Sequence, residues 1–145
     1  TPFKTPHDSA ESVGFSLYSG TRKLTIATDI GHINKRLLEQ FMHSHILVLE
    51  ANHDMDMLLN GPYPPPLKRR IMGSSGHLSN DACGEALSHL LCCELQQVVL
   101  AHLSQENNRP EIAYSAVSGR LNEDGCDLPV DIAYQDRRGP IYRIK

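Results

Sequence analysis

Short runs of strand pattern alternate with runs of helical pattern along this chain, and such an alternation leaves few options other than helices layered on a sheet. Residues 13–18 and 23–28 are strand-like and are joined by Ser19-Gly20-Thr21-Arg22, a hairpin signal. From residue 32 to about 43, Ile33, Leu37, Leu38 and Phe41 recur at helical spacing. Residues 45–50 read as a buried strand, residues 54–59 as a short helix stopped by Gly61-Pro62, and Tyr63-Pro-Pro-Pro66 as a stiff connector. A helix capped by Ser79 or Asn80 is expected to run to about Cys93, with Leu87, Leu90 and Leu91 as its apolar face. Residues 97–101 form the next strand, and Asn108 and Pro110 suit the N-cap and first turn of a helix reaching about Leu121. Strands are expected again at 129–134 and 141–144. The fold class is therefore α/β, without repeats, low-complexity tracts or an internal boundary.

Three of the strand-like runs end on a residue able to bind a cation or move a proton. The run 23–28 delivers Asp29, 45–49 delivers Glu50, and 97–101 delivers His102. Ligand sites in α/β sheets lie beyond the carboxyl ends of strands, where a rigid strand can aim a side chain into a crevice. Other properties are ordinary: 145 residues hold one core, 40% are hydrophobic, 21% are charged, and the net charge is −3. No run of about 18 apolar residues exists to span a membrane, and no secretory signal is visible. Cys83, Cys92, Cys93 and Cys126 have neither disulfide-framework nor zinc spacing, so free thiols in a cytoplasmic protein are expected. With no global positive field, any nucleic-acid contact must be local. Lys68-Arg69-Arg70, lying between the prolines and His77, offers such a contact through Lys68 and Arg70.

The stretches Thr5-Pro-His-Asp-Ser-Ala-Glu-Ser-Val-Gly14, Ala27-Thr-Asp-Ile-Gly31, Leu49-Glu-Ala-Asn-His-Asp54, Gly76-His-Leu-Ser-Asn80 and Leu100-Ala-His-Leu-Ser104 occur in this order. The series resembles the second half of the metallo-β-lactamase superfamily, in particular its YycJ/WalJ-type exonuclease branch, and is related to the ribonuclease Z and J arrangement. Gly61-Pro-Tyr-Pro64, Leu67-Lys-Arg-Arg70 and Glu106-Asn-Asn108 fit the same branch. The resemblance implies half of an αββα sandwich, residues 1–145 forming the C-terminal part of one domain. It implies two divalent metal ions, zinc or manganese, with His7, Asp29 and His102 as ligands and Asp29 bridging. Imidazole and carboxylate suit such cations, and a hydroxide shared between two metals can attack phosphorus. His77 then resembles the non-ligand histidine that assists leaving-group departure, Glu50 its orienting carboxylate, and Asn52 and His53 substrate-side residues.

The superfamily's principal metal motif, H-x-H-x-D-H, has no counterpart here; it is expected upstream. The expected function is metal-dependent phosphodiester hydrolysis, by a DNA exonuclease active only with the missing N-terminal half. Hydrolysis of a small ester, thioester or lactam, or a non-catalytic remnant binding nucleic acid or a protein partner, are the alternatives. Taken without the resemblance, Asp29 would serve as a helix cap, His102 as a satisfied core histidine, and His7 and His77 as loop residues.

Overall fold

The computed structural model describes residues 1–91 and 94–144. Six strands lie side by side in sequence order: β1 (Pro2–Lys4), β2 (Val13–Ser19), β3 (Arg22–Ala27), β4 (Ile46–Glu50), β5 (Gln97–Ala101) and β6 (Val130–Ile132). The first three are antiparallel, joined at β2–β3 by the expected hairpin with Gly20 at φ 60°, while β3 to β6 run parallel. Parallel neighbours require crossovers, and helices supply them: α1 (Lys35–Phe41), α2 (Met55–Asn60), α3 (Pro65–Met72), α4 (Asn80–Ser88) and α5 (Pro110–Glu123).

Local chemistry sets these helices. Asn34, Asp54 and Ser79 cap α1, α2 and α4 by accepting from Leu37, Met57 and Ala82 N–H groups. The stretch read as a proline connector is instead the start of α3, since Pro65 and Pro66 occupy first-turn positions where no N–H is needed. Asn108 does not cap α5. Its amide exchanges two hydrogen bonds with that of Asn80, at 2.9 and 3.0 Å, locking the start of α4 to the loop after β5. α4 ends at Ser88, and Cys92 and Cys93 lie outside the described residues. Residues 141–144 form no strand, and the strand expected at 129–134 shrinks to β6. Cys83 and Cys126 are free thiols.

The core lies on one sheet face. Ala27, Leu49, Leu100 and Ile132 share that face by register and pack with Leu37, Phe41, Leu87, Val117 and Leu121 from the helices. In β2 and β3 the usual pattern is inverted. Ser16 and Thr25 face the helix side, buried and hydrogen-bonded onward to Ser44. Val13, Phe15, Leu17 and Ile26, on the opposite face, are 36–51% exposed. No helix among the described residues is long and apolar enough to cross a membrane.

Candidate metal and acid–base site

The carboxyl ends of β3, β4 and β5 converge. Asp29 lies just beyond β3 and His102 just beyond β5, both in the left-handed region at φ 57° and 59°. Positive φ is unfavourable for residues with a Cβ, and its persistence at two strand ends marks positions where surrounding contacts over-determine the backbone. Glu50, the last residue of β4, is fully buried. His77 comes from the loop between α3 and α4, and His7 from the loop between β1 and β2. The Asp8 N–H to Ser75 carbonyl bond of 2.9 Å ties these two loops together, and the Gly31 N–H to Pro6 carbonyl bond of 2.7 Å ties the His7 loop to the segment after β3 that carries Asp29.

Glu50 organises the centre. Its Oε1 accepts from Nδ1 of His77 at 2.7 Å and from Nδ1 of His102 at 2.8 Å, while Oε2 accepts the Ile30 N–H at 2.7 Å. Burial alone would raise the Glu50 pKa, but the hydrogen bonds from His102, His77 and Ile30 outweigh it and hold the carboxyl below its ordinary range. The His102 imidazole is correspondingly raised, chiefly by its bond to Glu50, against the opposing effect of burial.

An ionised carboxylate can only accept, so both imidazoles carry their proton on Nδ1 and leave Nε2 with a free lone pair. His7 is fixed in the same sense, because its Nδ1 donates to the Gly76 carbonyl at 2.8 Å. Its Nε2 lies 3.7 Å from Asp29 Oδ1. The His7 and His77 rings are 4.8 Å apart, and those of His77 and His102 5.2 Å. Ligand atoms of Asp29, Glu50, His77 and His102 all lie within 4.8 Å of one another, a group able to hold a metal ion. With both Glu50 oxygens already engaged, the donors left for a cation are imidazole nitrogens and the Asp29 carboxylate. Neutral nitrogen and anionic oxygen fit zinc or manganese.

A cleft of about 400 Å³ opens over this centre, lined by His7, Asp8, Asn52, Arg70, His77 and His102 among others. Asn52 donates to the His102 carbonyl at 2.9 Å, so it both lines the cleft and holds its neighbour's backbone. Arg70 is present but engaged: Nε and Nη2 donate to the two Asp8 oxygens. Asp8 has only its place directly after His7 as a signal in the sequence, since its partner lies 62 residues away. His53 is 1% exposed and does not line this cleft but a neighbouring one that His77 also borders, and its imidazole is pushed down to about 4, mainly by burial. Lys68 donates to the Leu59 carbonyl at 2.6 Å and does not line the cleft.

Comparison with known proteins fits this geometry. Exodeoxyribonuclease YycJ from Bacillus anthracis is 37% identical over 123 residues, 85% of this chain and 47% of that protein. Exodeoxyribonuclease WalJ from Streptococcus pneumoniae strain D39 is 30% identical over 134 residues, 92% of this chain and 50% of that protein. Among solved structures, the metallo-β-lactamase-fold protein YhfI from Bacillus subtilis superposes with a TM-score of 0.65 at 15% identity, over 92% of this chain and 45% of its own. This chain has the metallo-β-lactamase fold. Two further members of the comparison are the short form of human tRNase Z, with a TM-score of 0.55 at 19% identity over 91% of this chain and 39% of its own, and Zn(2+)-bound PqqB from Methylobacterium extorquens, with 0.58 at 17% over 92% and 43%. No protein-family model matches the sequence. The chain spans about half the length of the curated relatives it matches, and its single sheet with one helix-covered face is half of the two-sheet sandwich.

Proposed function

We propose that the chain carries the later ligands and the general acid of a DNA exonuclease that hydrolyses phosphodiester bonds with two divalent ions, zinc or manganese. The observation that carries this reading is the convergence of three hydrogen-bonded imidazoles on one carboxylate: Nε2 of His7 and Nδ1 of His77 and His102 lie 3.7, 3.9 and 3.8 Å from Oδ1 of Asp29. The exodeoxyribonuclease relatives support the substrate class. His7, Asp29 and His102 would hold the cations together with ligands from an H-x-H-x-D-H segment. Val13, Phe15, Leu17 and Ile26 form the apolar surface on which a second sheet carrying that segment would pack.

Bound cations would supply an activated water and stabilise charge at phosphorus. The remaining work falls to the chain's own residues. His77 delivers a proton to the leaving oxygen from Nε2, while Glu50 fixes its ring and stabilises the imidazolium that precedes transfer. The geometry sets His77 and His102 in the same relation to Glu50, so their division into acid and ligand rests on the family pattern. Asn52 and Arg70, which line the cleft, would meet the substrate. His53, buried and outside the cleft, acts through packing, and the chain alone is expected to bind metal weakly and hydrolyse nothing.

The test joins this chain to the proposed segment. His77→Ala should lower turnover by roughly 10²–10⁴-fold, with the deficit shrinking for phosphodiesters whose leaving groups need little protonation. An equal deficit across the series would make His77 a positioning residue. Failure of the wild-type protein to cut DNA with any divalent ion would overturn the function.

A further inference from the structure

The cleft over the histidines is the first of three depressions that adjoin in sequence, each sharing wall residues with the next. Gln105 and Gln135, joined by a 2.8 Å hydrogen bond, form one wall of the cleft and also border a depression of about 340 Å³ that runs past Arg109 to Tyr134. Tyr134, Pro110 and Ile132 are shared in turn with a third depression, of about 420 Å³, which ends among Arg137, Arg138 and Tyr114. The path therefore leads from His77 and His102 along the start of α5 and over the segment after β6.

The Arg137 guanidinium carbon lies 3.6 Å from the Tyr134 ring centroid, and Tyr134 and Tyr114 are 37% and 47% exposed. Arg70 and Arg120 are held by carboxylates. Arg109 instead donates to the Gln105 and Asn108 carbonyls, which fixes its guanidinium without cancelling its charge. Glu111, Asp131 and Asp136 share the walls, so the summed field is small. Recognition along this path must then come from stacking and short charge-assisted contacts rather than from bulk attraction. Exposed rings alternating with guanidinium groups match the base faces and phosphates of an unpaired strand, whereas a duplex keeps its base faces covered.

We infer that this path is a track for single-stranded nucleic acid, with bases stacking on Tyr134 and Tyr114 and phosphates meeting Arg109, Arg137 and Arg138. The inference rests on the nucleic-acid reading of the cleft and adds to it the form of the substrate and the route its far end takes.

The experiment measures fluorescence anisotropy of labelled oligothymidylates of about four and about twelve nucleotides, with the full chain and a chelator present. The longer strand should bind at least about tenfold tighter, since each stacked base contributes severalfold or more. Combined Tyr134→Ala, Arg137→Ala and Arg138→Ala substitutions should erase that advantage and leave the short strand unaffected. Tyr134→Phe alone should preserve it, and the salt dependence of the triple variant should fall by about 1.4 in slope, roughly 0.7 for each arginine removed. Equal affinity for both lengths, with short-strand binding still weakened by Arg70→Ala, would overturn the track and leave the cleft reading standing. A twelve-base-pair duplex binding as tightly as the longer strand would overturn the single-strand assignment. Binding of neither oligonucleotide would overturn the nucleic-acid reading together with the track.

Discussion

Replacing Glu50 with glutamine keeps the side chain's shape and removes its charge, and the hydrogen bonds around it set the consequence. The carboxylate accepts from His77 and His102 at one oxygen and from Ile30 N–H at the other, with no exposure to water. An amide has a single acceptor. If its oxygen faces the imidazoles, its NH₂ confronts the Ile30 N–H; if it is turned over, the imidazoles must move their protons to Nε2 to accept. An unsatisfied buried donor costs about 1–3 kcal/mol, and each charge-assisted bond made neutral loses about 1 kcal/mol more. Relief of the buried charge offsets part of this, leaving a net loss on the order of 2–4 kcal/mol. Urea unfolding should register it as a midpoint shift of about 1–4 M at a slope of roughly 1–2 kcal/mol per molar. Nitrogen-15 spectra of the imidazoles should show Nδ1–H tautomers for His77 and His102 in the wild type and a change in at least one of them, or a displaced Ile30 N–H, in the variant. A stability change below about 0.5 kcal/mol with unaltered tautomers and an unmoved Ile30 amide would refute the argument.

Two other perturbations follow from the same packing. A Cβ at Gly76 would run into the Ile71 and Arg70 carbonyls, so Gly76→Ala should cost about 1–3 kcal/mol in chemical denaturation and displace the carbonyl that fixes the His7 tautomer. Burial holds the His53 imidazole near 4 against an ordinary 6.5, so below about pH 6.5 the unfolded chain takes up a proton that the folded chain refuses. Stability should fall as the pH drops from about 6.5 to about 4, by on the order of 3 kcal/mol in all, and His53→Gln should flatten that slope in pH-dependent unfolding.

The strand-end residues were legible because a strand followed by an acid or imidazole is a local pattern, and Asp29, Glu50 and His102 each stand at such an end. What the pattern could not carry was geometry made by distant partners. Glu50 serves two histidines, from positions 27 and 52 residues away, rather than one. The Asp8–Arg70 pair and the left-handed backbone of Asp29 and His102 likewise have no local signature. Alternation in β2 and β3 marked strands, yet it gives no sign of which face the helices cover, and here hydroxyls of Ser16, Thr25 and Ser44 satisfy one another beneath them. α3 was hidden because a proline run suggests extended chain unless it falls at a helix start. Ile141 and Tyr142 have strand-like side chains but make no ladder among the described residues; Ile141 is 76% exposed.

Equilibrium titration of zinc or manganese into this chain joined to the proposed segment, and into three variants of it, tests the central claim, that of the two histidines held by Glu50 His102 is a ligand and His77 an acid. Asp29→Asn is the informative carboxylate change, because asparagine tolerates the left-handed backbone at φ 57°. The account predicts that Asp29→Asn and His102→Ala each weaken metal binding by roughly 10-fold or more, as expected for lost ligands, whereas His77→Ala stays within about twofold of wild type. Loss of affinity in His77→Ala equal to that in His102→Ala, or no change in any variant, would contradict it.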